Sequence, residues 1–366
     1  MAQTSDITGI LWSWGPGQSR LALLVGERVV ELVIDRPDSL NGAVLLGRVA
    51  SVDRGLDAAF VEIGQDRPGF LPHAVALGIS EGAAVVVQVR ADARGGKGAK
   101  LALVSGEPPP DPALKPPCLL RRPHVLERLR AAHPGIVRVE VDDAAALAEA
   151  RRWFPQAQRR ALPELDEILD EALSPVVPLP SGGRLVMEAT AALTAVDVDS
   201  GGSRPADANR EAVAAIARQL RLRGIGGQIT VDFVSGPKGT PYKLAAALKR
   251  AVASDPIPTH VFGVTPLGMV ELTRERRGPS VAEILCRRSL DLTPESVALD
   301  SLRRMLIEAD ARPGAALALV LAPEVAAVLG RLGEAVAETG RRLGRPLSWR
   351  SEPGRGLDDV MIEEVR

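Results

Sequence analysis

The sequence predicts an α+β multidomain chain, with a small closed β-barrel near the N-terminus followed by mixed α/β units. Two observations carry that reading. Between residues 38 and 105 the short strand-like runs VLLGRVASV, AAFVEIG, AAVVVQVRA and KLALV recur between glycines, the spacing of a small barrel. Beyond residue 119 strand-like and helix-like periods alternate, which is the pattern of α/β units. A chain of 366 residues has room for two or three such cores.

The elements follow in order. Residues 18–34, QSRLALLVGERVVELVI, read as two strands about a turn at Gly26-Glu27. After the barrel, GEPPPDPALKPP is a proline-rich linker or boundary. The stretch HVLERLRAAHPGIVRVEVDDAAALAEARRWF reads as helix, strand, helix. From Ser181 the strands RLVMEATAALTAVDVDS lead into a helix, NREAVAAIARQLRLRG, with Asn209 as its expected N-cap and Gly224 as its stop. Val213, Ile216, Ala217 and Leu220 give that helix a buried stripe. Strand QITVDFV, helix KLAAALKRAVASD and strand VFGVTPLGMVELT complete the unit. The tail reads helix, strand (ALALVLA), one helix (EVAAVLGRLGEAVAETGRRLG) and a last strand.

Composition narrows the function classes. Hydrophobic residues make up 46% and charged residues 25%, as in an ordinary globular protein. Only 3% are aromatic, so the cores rest on Ala, Val, Leu and Ile. Two cysteines, Cys118 and Cys286, cannot form a disulfide scaffold, and MAQTSDITGI shows no export signal, so a cytoplasmic protein is expected. No apolar run reaches the length of a membrane span, and no membrane partner is expected. Net charge is −1, so any nucleic-acid surface must come from local clusters: Arg90, Arg94, Lys97 and Lys100; Arg218, Arg221 and Arg223; Arg274, Arg276 and Arg277. Each cluster also reads as an ordinary solvated face.

The chemistry concentrates in TAVDVDSGG. Strand alternation sends Asp197 and Asp199 to one face and Val196 and Val198 to the other. Two carboxylates projecting together call for a compensating positive charge. ITVDFV sets Asp232 after a similar apolar approach, and if the strands are neighbours Asp232 meets Asp197 at a common edge. Magnesium takes one or two protein carboxylates and keeps several waters. The simpler reading of each Asp is a turn or cap residue. In the barrel, Phe60 and Phe70 lie among basic residues; exposed rings there would stack bases, while the alternative puts both in the barrel core. GGKGAK fails as a phosphate loop, because Lys97 is followed by Gly98 rather than Ser or Thr. The four His show no metal spacing.

Taken together, GRVASVDRGLDAAFVEIGQDRPGFLPH, GGKGAKLAL, LPSGGRLVMEATAALTAVDVDSGG, NREAVAAIARQLRLRGIGGQITVDFV and LGMVELTRER resemble the ribonuclease E/G family over most of the chain. The resemblance implies an OB-type, S-one-like RNA-binding barrel at 38–105. This barrel would be inserted in an RNase H-like subdomain made of 1–37 and 119–180, with 106–118 as linker. A DNase I-like mixed α/β catalytic subdomain would span 181–285, and a small α/β C-terminal domain 286–366. Asp197 and Asp232 take the family's magnesium-ligand places, with manganese as a substitute, and Asp199 stands where relatives commonly carry Asn, an amide that orients the site, so the resemblance implies all three as catalytic residues. Phe60, Phe70 and Lys97 match RNA-contacting barrel positions, and the Arg218, Arg221 and Arg223 helix is expected to hold single-stranded RNA.

Two departures modify these expectations. GEPPPDPALKPPCLLRRP replaces a 5′-monophosphate sensor, so cleavage should ignore the 5′-end state. CRRS replaces a Cys-Pro-x-Cys pair that links protomers through zinc, so no zinc is expected, and a homodimer or monomer rather than a zinc-linked tetramer. The expected function is magnesium-dependent hydrolysis of single-stranded RNA to 5′-phosphate and 3′-hydroxyl ends, in ribosomal-RNA processing or messenger decay. The alternative is a catalytically inactive RNA-binding relative.

Overall fold

Strand alternation builds four sheets in the computed structural model, which describes residues 7–93, 96–104, 111, 113–286 and 291–365. Arg94, residues 106–110 and 112 of the proline-rich stretch, and Arg287 to Ser289 of CRRS lie outside the described residues. The first sheet begins with β1 (Gly9–Gly15), β2 (Gln18–Val25) and β3 (Arg28–Asp35), an antiparallel meander. The turn expected at Gly26-Glu27 is where β2 gives way to β3; β1, just before it, had not been read as a strand.

The barrel follows: β4 (Val44–Asp53), β5 (Ala58–Glu62), β6 (Gly69–Pro72), β7 (Ala84–Ala91) and β8 (Lys100–Leu103). These five strands close in the order β4-β5-β6-β8-β7, consistent with an OB-type fold. Ala59, Val61, Leu71, Val87, Val89 and Leu101 fill its interior. The chain leaves by β9 (Cys118–Arg121), which adds to the edge of β4.

It then returns to the first sheet. Between α1 (Val125–Ala132) and α2 (Ala144–Trp153), β10 (Arg138–Val141) runs parallel to β1, and β11 (Gln158–Arg159) extends the edge. Helices α1 and α2 cover one face of this sheet, around Trp12 and Phe154. The other face packs against α3 (Glu164–Leu173).

The second large sheet holds β12 (Val176–Pro178), β13 (Arg184–Ala189), β14 (Leu193–Asp199), β15 (Gly227–Asp232), β16 (Thr259–Val264) and β17 (Val270–Arg274), in the order β12-β13-β14-β15-β17-β16. VFGVTPLGMVELT is therefore a hairpin and not one strand. The Gly268 N–H donates to Thr265 O and closes its turn. Helix α4 (Pro205–Leu222) links the parallel pair β14 and β15, and α5 (Thr240–Ala251) follows β15. Both helices cover one face, where Leu185, Val196, Val198, Ile229, Val231 and Leu272 meet Ile216, Leu220 and Leu248. The predicted stripe of α4 is on this face. The helix begins earlier than expected, with Arg204 as N-cap, while Gly224 at φ 65° does end it.

A third sheet closes the chain. After α6 (Val281–Leu285) and α7 (Pro294–Ala311), β18 (Leu317–Leu321) pairs with β19 (Ser348–Ser351) and β20 (Met361–Glu364). The run read as one helix is two, α8 (Pro323–Leu329) and α9 (Gly333–Leu343). No helix among the described residues is long and apolar enough to cross a membrane.

One buried ion pair fixes the end of β17. The Arg274 and Asp255 side chains are 2% and 6% exposed, and Arg274 donates to Asp255 at 2.7 and 3.2 Å and to Ile225 O at 2.8 Å. Arg274 is thus removed from the solvated cluster the sequence suggested. Breaking such a pair strands a charge away from water. Asp255→Ala is expected to lower the unfolding free energy in urea by about 3–5 kcal/mol, and adding Arg274→Met should recover much of the loss. A loss near zero would mean that water reaches the guanidinium.

Candidate functional site

Apolar patterning sets the geometry at the centre of the second sheet. Val196 and Val198 on β14, with Ile229 and Val231 on β15, bury themselves under α4, so the intervening residues face the other way. The strands are parallel, and Asp197 lies directly opposite Asp232. Both aspartates are exposed, on the sheet face that α4 and α5 leave open. Neighbouring strands are about 4.8 Å apart, so the two side chains rise side by side. Among the described residues no group of three or more His, Cys, Asp or Glu could hold a metal ion. Two adjacent carboxylates open to water do match the one or two that magnesium takes before filling its shell with waters.

Asp199 is differently employed. Its carboxylate meets Arg184 of β13 at 2.6 Å and accepts the Gly201 N–H at 2.8 Å. The Gly201 amide, and then the Arg184 charge, hold its carboxyl below the ordinary 3.8. The strand end sits close against Gly183, where a Cβ would come 2.7 Å from Asp199 O, which accounts for a glycine in LPSGG.

A buried amide that sequence reading took for a helix cap positions the second aspartate. Asn209 is 2% exposed on α4; its Nδ2 donates to Val234 O at 2.8 Å and its Oδ1 accepts from Val234 N at 3.0 Å. It clamps the chain two residues past Asp232. Its spacing from Val213, Ile216 and Leu220 marked it as lying on the buried stripe. A polar side chain there needs partners. The loops beyond the two strand ends carry exposed Arg204 and Lys238.

The arginines of α4 do not form the RNA-holding face expected of them. Arg218 makes a two-pronged ion pair with Glu171 of α3 and donates to Val29 O at 3.2 Å. Arg221 pairs with Glu31 of β3 at 3.5 Å. Arg223 donates to Gln219 Oε1 at 2.6 Å and to Glu171 O at 3.1 Å, and burial pulls its pKa down to about 10. These three guanidiniums knit α4 to α3 and β3. They present no RNA-binding face, because α4 is buried on two sides.

In the barrel, Phe60 and Phe70 are register partners whose rings meet edge to face at 6.0 Å between centroids. Both are half-buried and stand outside the cluster that fills the barrel, so they are not its core. Lys97 is exposed nearby in sequence. Lys100, which the sequence offered only as one of a cluster, pairs in register with Phe70, and its Nζ lies 3.5 Å from Glu275 Oε1 just beyond β17.

This arrangement coincides with a match to known proteins. The Ribonuclease E/G family model matches residues 135–277, which contain both aspartates, α4 and the whole sheet face. Ribonuclease G of Salmonella typhimurium is 33% identical over 207 residues, covering 52% of this chain and 42% of that protein. Ribonuclease E of a Nostoc species is 40% identical over 129 residues, covering 33% of this chain and 19% of that protein. Ribonuclease G of Haemophilus influenzae is 36% identical over 131 residues, covering 33% and 27%. The chain thus spans less than half the length of these ribonuclease E/G relatives.

The Asp199 environment gives a titration test. A carboxyl held low stabilises the fold above its unfolded value, and that contribution is lost as pH falls through the lower folded value. Asp199 is therefore expected to stay ionised below pH 3.8. In Arg184→Ala its carbon-detected NMR titration should move back up. An unmoved midpoint would assign the shift to the Gly201 amide alone.

Proposed function

We propose that this chain is an endoribonuclease that binds single-stranded RNA and hydrolyses it beside Asp197 and Asp232. The observation that carries the reading is the register: two exposed carboxylates, side by side on adjacent parallel strands, inside the segment that matches the family. The two aspartates would hold magnesium, or manganese in its stead. Such an ion, when bound, supplies Lewis-acid polarisation of the phosphodiester and an activated water.

The chain's own residues do the rest. Asp197 and Asp232 fix the position at which a phosphate is received, and Asn209 keeps Asp232 in place through the Val234 backbone. Arg184 neutralises Asp199, so the extra carboxylate does not meet an incoming phosphate as a free charge. Arg204 and Lys238 stand on the loops where phosphates would approach. On the barrel, Phe60, Phe70, Lys97 and Lys100 offer stacking faces and cations for unpaired RNA. Hydrolysis leaving 5′-phosphate and 3′-hydroxyl ends, insensitivity to the 5′-end state, a cytoplasmic place and a part in ribosomal-RNA processing or messenger decay complete the proposal. A homodimer or monomer fits it; a zinc-linked tetramer does not.

Asp197→Asn and Asp232→Asn are each expected to lower cleavage of a labelled single-stranded RNA at least about 100-fold, as loss of a metal ligand does. Chelation with EDTA should abolish cleavage and added magnesium restore it. RNA binding in EDTA should be kept by both variants. Binding with no metal-dependent cleavage in the unaltered chain would instead identify a non-catalytic RNA-holding protein.

A further inference from the structure

The edge of the second sheet carries an exposed aromatic side chain that the proposed chemistry does not use. Phe262 on the edge strand β16 is 72% exposed. It is the extra residue of a bulge between Val261, which packs on the core opposite Leu272, and Gly263, which pairs with Glu271; α5 covers the core side of the sheet, and Phe262, exposed and outside that cluster, stands away from it. It lies between two rows of register partners, Thr230–Glu271–Gly263 and Gln228–Thr273–His260. Two strands over and about three residues back from Asp232, it stands about 14 Å from the aspartate pair.

The direction matters as much as the distance. Lys100 of the barrel, the register partner of Phe70, reaches Glu275 beyond the end of β17. Along β17, Phe262 falls between that contact and the end nearest Asp232. Around it the face offers Gln228, Thr230, Thr273 and His260, which hydrogen-bond without fixed charge, and one anion, Glu271. That surface suits the faces and edges of bases. Phosphates are better matched by the cations on the loops and barrel.

We propose that Phe262 is a stacking platform for one unpaired base of the RNA, held a short run of nucleotides from the scissile phosphate. The inference rests on the reading of this chain as a single-strand endoribonuclease. It assigns Phe262 a role in positioning and base preference, not in the chemical step.

The test is binding of a fluorescein-labelled single-stranded RNA to the full chain in EDTA, read by anisotropy. Base–aromatic stacking predicts affinity about tenfold weaker in Phe262→Ala, kept in Phe262→Trp and not rescued by Phe262→Leu. In a scan with single abasic nucleotides, one position should weaken the unaltered chain by the same factor and leave Phe262→Ala unaffected. With magnesium present, the same substitution should raise KM and spare kcat. The proposal is overturned if Phe262→Ala binds as well as the unaltered chain, or if leucine serves as well as phenylalanine. It is equally overturned if Phe262→Ala lowers the molecular mass in sedimentation equilibrium, which would make the ring a contact between copies. Because binding is read without metal, failure of cleavage alone overturns the nuclease reading and not the platform.

Discussion

The register of two parallel strands fixes where this molecule's two exposed, adjacent carboxylates stand. β14 and β15 could slide past one another only by exposing Val196, Val198, Ile229 or Val231, since a slip of one residue exchanges the faces of a strand. Helix α4 enforces the register from above. It connects the two strands, packs on both and pins the backbone after Asp232 through Asn209. The juxtaposition of Asp197 and Asp232 is thus a by-product of apolar burial. Neither carboxylate has to stabilise the fold, which leaves both open to water.

The same helix explains where the charge went. α4 is a wall for its own sheet on one side and a neighbour of β3 and α3 on the other. A helix enclosed on two sides cannot solvate three arginines, so Glu171 and Glu31 meet them. Burial raises the Glu31 carboxyl, with the Arg221 charge opposing it.

Much of this was legible in the sequence. Period-two alternation marked most strands of the barrel, TAVDVD and ITVDFV, and the spacing of Val213, Ile216 and Leu220 marked the inner face of α4. The carboxylate pairing was readable as a condition, that the two strands be neighbours, and the sheet order meets it. What could not be read depended on contacts remote in the chain. The fate of Arg218 and Arg221 rests on Glu171 and Glu31, dozens to nearly two hundred residues away. Asn209 looked like a cap because Ser/Thr/Asn/Asp chemistry at helix starts is local, whereas its partner, Val234, lies beyond the next strand. The β16–β17 hairpin was missed although Pro266 and Gly268 bracket its turn, because apolar residues run on through both strands. Phe60 and Phe70 could equally have been core; only the closed barrel shows that the interior is already full without them.

The barrel's place in the chain has a consequence for biosynthesis. β1 finds its parallel neighbour β10 only after the barrel has been made, since Gly9 pairs with Arg138. During translation the N-terminal meander therefore emerges with one edge unsatisfied, while the barrel, whose strands pair among themselves, can close on its own. Closing so distant a pairing is slow relative to local contacts. The nascent β1 edge is open to pairing with another chain until synthesis of α1 and β10 ends that exposure.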